Sequence, residues 1–222
     1  MNVTWSHSSL KEYETCARKY HETRVLKLYP REETEQSLYG TRLHEAAELY
    51  LRDGTPLTPE FAFLKPTLDA LARIEGRKLC EYEMALTQYL QPCNFKAPNF
   101  WVRGIADLII VNDENFTASI FDYKSGSAKY PDQDQLILMS LMVFAHFPHI
   151  RHVRSALLFV LHDRVVRHTI SRDEADAHWW KYRERVGRLE ASTQHGVWNP
   201  KQNGLCRKYC PVVTCEHNGR RS

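Results

Sequence analysis

Polar and apolar positions change period along the chain, and each change predicts an element. In "SHSSLKEYETCARKY" the residues Leu10, Tyr13, Ala17 and Tyr20 recur at helical spacing. Ser9 and Glu12 have the spacing of a capping box, so a first helix is expected with Cys16 beside its buried stripe. A second helix is expected to open near Gly40 and Thr41, with Leu43, Ala46, Ala47 and Tyr50 inward, and to break at "RDGTPLTPE". A third follows from about Phe61 to Glu75.

The middle of the chain reads differently. "KLCEYEMAL" alternates, and "FWVRGIADLIIV" and "ASIFDYKSG" are β-rich runs separated by turn residues at Asn112 to Asn115. "DQDQLILMSLMVFAHF" is apolar on nearly every face, as in a helix buried against a sheet. Two more strands, "VRSALLFVL" and "RVVRHTI", join at His162 and Asp163, and the capping box "SRDE" opens a helix from Ser171 to about Glu190. This order predicts an α/β domain with a mixed central sheet flanked by helices.

A chain of 222 residues supports one main domain, here 1–200, with a small cysteine-rich tail at 201–222. The longest apolar run, Leu136 to Phe147, is too short to cross a bilayer, so no membrane association is expected. The start "MNVTWSHSSL" lacks the basic and apolar regions of a secretory signal, which points to a reducing, cytoplasmic compartment, or the host cytoplasm for a phage-encoded chain. Cysteines there are thiols or metal ligands. A net charge of +3 excludes an unspecific polycation. From Lys201 onward, however, Lys201, Arg207, Lys208, Arg220 and Arg221 face a single acid, Glu216.

Polar groups interrupt the strands. By alternation Ile105, Asp107 and Ile109 share one face, as do Ile120, Asp122 and Lys124. A buried carboxylate needs a partner, which leaves two readings: a structural ion pair with Lys124 or Arg103, or a Mg²⁺ or Mn²⁺ site. Spacing alone leaves both open.

"GIAD", followed fifteen residues later by "DYK", resembles the D…(D/E)-x-K core of the PD-(D/E)XK nuclease superfamily and its restriction-endonuclease-like fold. "SHSSLKEYETCARKY" resembles the opening motif of RecB-like exonucleases, "GTRLHEA" their helical histidine motif, and "DQLILM" their glutamine-bearing helix. The matches run in order across nearly the whole chain. The resemblance implies that Asp107, Asp122, His44 and the Tyr123 carbonyl ligate a divalent ion, and that Lys124 orients the attacking water. It also implies that Glu81, or Glu83 on the same face, is the acid of the preceding strand, and that Gln135 positions DNA or the lysine. Met139 stands where many relatives carry Tyr, and is expected in the core. The implied activity is a divalent-metal-dependent DNA exonuclease acting on single strands or free ends in recombination, repair or phage DNA processing. The competing reading is an accessory nucleic-acid-binding protein without useful catalysis. Trp101, Tyr130, Lys129 and Arg103 are candidate contacts to a strand. His146, His149, His152, His162 and His168 have no coherent spacing.

The tail "CRKYCPVVTC" places Cys206, Cys210 and Cys215 within ten residues, the density of a metal site. With His217 they would make a local Cys₃His zinc knuckle, a zinc regulatory module in its own right. With Cys16 they would hold a [4Fe–4S] cluster, as in CRISPR-associated and AddB-type relatives, although the tail's C-x3-C-x4-C departs from their usual C-x2-C-x5-C. Cys80 and Cys93 are expected outside the cluster.

Overall fold

A computed structural model of the protein describes residues 3–30 and 33–220; Arg221 of the basic tail lies outside them. The chain divides into two compact units, Met1–Glu33 with Trp180–Ser222, and Thr34–Trp179. The N-terminal residues thus group with the cysteine-rich tail.

The unit Thr34–Trp179 is built on a five-stranded mixed sheet of order β1-β2-β3-β4-β5. Its strands are β1 (Arg77–Leu86), β2 (Val102–Asn112), β3 (Thr117–Lys124), β4 (His152–Phe159) and β5 (Arg164–Ser171). Neighbours pair antiparallel except β3 and β4, which are parallel. A parallel pair requires a crossover, and α5 (Gln133–His146) supplies it. Its Leu136, Leu138, Leu141, Met142 and Val143 are fully buried, which explains an apolar run with no polar face. Burying each such side chain contributes about 1.5–3 kcal/mol.

The helix α3 (Glu35–Asp53) begins earlier than Gly40, because Thr34 and Ser37 form the capping box and the first turn is polar. It ends at Gly54, whose φ of +69° is the left-handed conformation that closes a helix. The expected helix from Phe61 is a 3₁₀ turn, Pro59–Leu64, running into α4 (Lys65–Ala72). Leu43 and Ala47 of α3 pack with Leu64 and Leu68 against Leu108, Ile110, Tyr123, Ala156 and Leu158 of the sheet.

In the other unit the first helix is broken. α1 (His7–Thr15) is capped by a reciprocal Ser6–Ser9 box, one turn ahead of the expected Ser9–Glu12 pair. Cys16 then adopts an extended conformation, closing α1 and capping α2 (Ala17–Tyr20) through its sulfur. The last helix, α6 (Ala175–His195), follows a short 3₁₀ turn after Ser171 and extends beyond Glu190. Its C-terminal part joins α1 through paired Arg185–Glu14 hydrogen bonds of 2.7 and 2.8 Å and a Tyr13–Ser192 hydroxyl contact of 2.7 Å. Trp198 stacks on His21 and Tyr20. Gly219 donates its N–H to Cys206, and a Cβ there would lie 2.9 Å from the Arg207 backbone, so the tail's loops close only around glycine.

Candidate active site and cysteine pocket

Three elements bring acidic groups together within the sheet unit. Glu81 on β1, Asp107 on β2 and His44 on α3 place one ligand atom each within 4.8 Å of one another. His44 Nδ1 lies 3.3 Å from Asp107 Oδ2, which also accepts the Tyr123 N–H at 2.7 Å. Glu81 lies between the Cys80–Leu108 and Tyr82–Ala106 pairs, which sets it across from Asp107, and its backbone there is left-handed, with φ of +45°. Glu83 is exposed and opposite Ile105, outside this group. Alternation puts both glutamates on one face, and only the register with β2 separates the two.

A second cluster adjoins through the β2–β3 pairing. Lys124 Nζ lies 2.5 Å from Asp122 Oδ2, and donates to Gln135 Oε1 at 3.0 Å. Gln135 Nε2 in turn donates to Asp122 Oδ1 at 2.5 Å. One amide from α5 thus reads both ends of the Asp-x-Lys pair, with its oxygen toward the cation and its nitrogen toward the carboxylate. Tyr123 meets the site with its N–H, while its ring packs in the core 6.0 Å from that of His44. Met139 is buried against Gly104, at the place in the fold that the sequence assigns to core.

Crowded carboxylates resist ionisation. Burial, then the neighbouring Asp107 charge, raises Glu81 to about 7. The same two causes raise Asp122 to about 6, against the opposing pull of Lys124. For His44 burial lowers the pKa, but the Asp107 hydrogen bond and the surrounding carboxylates outweigh it and the net shift is upward. One imidazole and several carboxylates in want of positive charge form a donor set suited to a hard or borderline divalent cation.

The sequence profile of the PD-(D/E)XK nuclease superfamily matches residues 4–215. The chain belongs to that superfamily. No curated protein matches it. Among solved structures, a presumptive exonuclease from Eubacterium rectale superposes with a TM-score of 0.53 at 13% identity, covering 93% of this chain and 86% of that one. That likeness supports the fold alone. The structure of SSO0001 covers 97% of this chain and 86% of its own at 18% identity, with a TM-score of 0.44, too distant to bear on fold or function. PD-(D/E)XK nucleases use divalent metals, and the His44–Glu81–Asp107 group can hold one.

Not all the residues proposed for DNA contact face solvent in this PD-(D/E)XK chain. Trp101 is buried, 6.2 Å from Trp179. Arg103 lies between the rings of Phe95 and Phe100. Tyr130 is 81% exposed with Lys129 over its ring, and Tyr89, which the sequence pattern did not single out, is 75% exposed.

In the other unit Cys16, Cys206, Cys210 and Cys215 are free, buried and line one pocket with His217. The backbone N–H groups of Lys19 and Lys201 both point at Cys16 Sγ at 3.5 Å, and that of Asn203 at Cys206 Sγ at 3.4 Å. Cys80 and Cys93 are elsewhere, and burial raises both thiols. Among the described residues no cysteine belongs to a set of three ligand atoms within 4.8 Å. No helix among the described residues is long and apolar enough to cross a membrane.

Proposed function

We propose that the protein is a divalent-metal-dependent deoxyribonuclease of the RecB-like exonuclease kind, acting on free ends or single strands of DNA in recombination, repair or phage DNA processing. The observation that carries this reading is the His44–Glu81–Asp107 group beside the Asp122–Lys124–Gln135 triangle. His44, Glu81, Asp107 and Asp122 would hold Mg²⁺ or Mn²⁺, which when bound supplies charge neutralisation at the phosphate and acidifies water. The Tyr123 N–H fixes Asp107 through one oxygen and leaves the other for ligation. Lys124 has two of its three N–H groups engaged by Asp122 and Gln135. The third is free to orient the attacking water and to meet charge developing on the phosphate. Gln135 holds that ammonium in register.

Single strands are favoured by what surrounds the site. The loops that follow β1 and β3 both lie at the catalytic end of the sheet, and they expose Tyr89 and Tyr130 beside Lys129. Base-on-aromatic stacking with a nearby cation holds a strand without reading its sequence.

The reading extends to the tail, where Cys16, Cys206, Cys210 and Cys215 would hold a [4Fe–4S] cluster. Amides aimed at two of the sulfurs suit thiolate ligands. A Cys₃His zinc site completed by His217, which lines the same pocket, is the competing reading. Metal analysis and the visible spectrum of anaerobically purified protein decide between iron and zinc with His217.

The catalytic reading is tested by Mg²⁺- or Mn²⁺-dependent degradation of end-labelled DNA. Asp122→Ala and Lys124→Ala should each slow degradation by about 10²-fold or more while the protein remains folded. Traces equal to wild type would overturn the assignment.

A further inference from the structure

The β4–β5 hairpin carries a charge that the active site does not use. Residues 149–172 contain five arginines, Arg151, Arg154, Arg164, Arg167 and Arg172, and a single acid, Asp163, although the whole chain has a net charge of only +3. Arg151, Arg154 and Arg167 are exposed and make no ion pair among the described residues. Arg154 pairs with Thr169 across the strands, and Arg167 is two residues from Thr169, so Arg154 and Arg167 are diagonal neighbours on one face. Their side chains start about 7–8 Å apart. His152 continues that face along β4.

This face is where the sheet lacks its helical cover. Ala156 and Leu158, farther along β4, are buried beneath α3 and α4, whereas Arg154 and His152 are not. At the strand ends His149, Arg151, His152, Ser171 and Arg172 line one pocket. Arg172 is the telling member. Its guanidinium is half-buried and donates to the carbonyls of Phe144, Ile150 and Phe147 at 2.7–3.0 Å, over the Phe144 ring. No carboxylate among the described residues pairs with it, and burial lowers its pKa. A partly desolvated charge balanced only by dipoles attracts an anion. The acids nearby only partly offset this. Asp113 is engaged by His149 and Arg77, Glu174 caps Ser171, and Asp173 lines the pocket while Glu114 is exposed.

We infer that Arg151, Arg154 and Arg167, with Arg172 and His152 beside them, form a second phosphate-binding surface that holds the substrate's nucleic-acid backbone at the end of the sheet opposite the active site. This rests on the nuclease reading above. Strand β3 runs from Thr117, opposite His152, to Lys124, opposite Phe159. Seven residues at about 3.3 Å each separate the two places by about 23 Å. A duplex shorter than about seven base pairs, at 3.4 Å each, therefore cannot touch both. The surface gives no sequence readout and adds affinity for longer substrates, which keeps a nucleic acid engaged while its end is processed.

The experiment compares wild type with the combined Arg151→Ala, Arg154→Ala, Arg167→Ala variant. Binding of a labelled long duplex, and of one below about seven base pairs, is measured by fluorescence anisotropy in chelator, so that cleavage is not required. The variant should bind the long duplex at least tenfold more weakly, and its plot of log affinity against log salt should flatten by about 2–3. The short duplex, which cannot span both places, should lose affinity by a smaller factor. Replacing the same three by lysine should restore most of the affinity and so excludes misfolding. With metal added, the variant's KM for the long substrate should rise while kcat holds. Unchanged affinity and slope for the long duplex would overturn the inference and leave the nuclease reading standing. A wild type that cuts nothing yet loses binding in the triple variant would overturn catalysis and support the surface.

Discussion

Tyr123 shows how one residue serves two environments. Its N–H holds Asp107 while its hydroxyl is buried with no hydrogen-bond partner among the described residues, and burial drives that phenol's pKa upward. An unpartnered buried hydroxyl is a cost, so Tyr123→Phe should stabilise the protein by about 1 kcal/mol. That corresponds to a rise of about 2–4 °C in Tm for a chain of this size, with nuclease activity unchanged because the backbone contact remains. A lower Tm would show that the hydroxyl has a role. Glu81 yields a pH prediction. Its folded pKa of about 7 exceeds the ordinary 4.5, so between those values the folded state binds more protons than the unfolded chain. Asp122, raised to about 6, and His44, also raised, act in the same direction. Stability in chelator is therefore full at the acid end and falls as pH rises toward 7. Thermal melts across that range should show the decline, and Glu81→Gln should flatten it by a few °C, about 1 kcal/mol or more at neutral pH. A profile that rises with pH in both proteins would refute the arrangement. The sequence named these residues through motif resemblance. It could not separate Glu81 from Glu83, because alternation puts both on one face and only the pairing of β1 with β2 sets Glu81 across from Asp107.

Elements were legible in proportion to how far a single face decides them. The strands β2 to β5 and the helix α5 appear where alternation or an unbroken apolar run predicts them, since burial on one or both faces leaves one register. Helix starts were less legible. The stripe of α3 becomes apolar only after Gly40, but its cap at Thr34 precedes a polar turn that carries no hydrophobic signal. The break at Cys16 was invisible for the opposite reason. Leu10, Tyr13, Ala17 and Tyr20 keep helical spacing straight through it, and only the tertiary environment of the sulfur, facing the amides of Lys19 and Lys201, shows that the chain opens there. Trp101 looked like a strand contact because aromatic residues suit both stacking and cores, and packing against Trp179 decides for the core.

Across the whole molecule, one unit is continuous and the other is assembled from both ends of the chain. The segments of the latter are tied by Arg185–Glu14, by Trp198 on His21 and by the pocket that Cys16 shares with the tail. Holding Cys16 and Cys206 on one cofactor would close a loop of about 190 residues, and loop closure of that length removes much of the unfolded chain's freedom. The site chemistry of the sheet unit uses none of these residues. On the cluster reading, Cys16→Ala should therefore give colourless protein whose discontinuous unit opens first. Hydrogen exchange should quicken by at least tenfold in α1, α2 and the tail, while β2 and β3 keep their protection. A Cys16→Ala protein that keeps its bound metal and its protection in α1 would remove Cys16 from the site and leave His217 as the fourth ligand. Uniform loss of protection in both units would instead show that the sheet cannot stand without the closed loop.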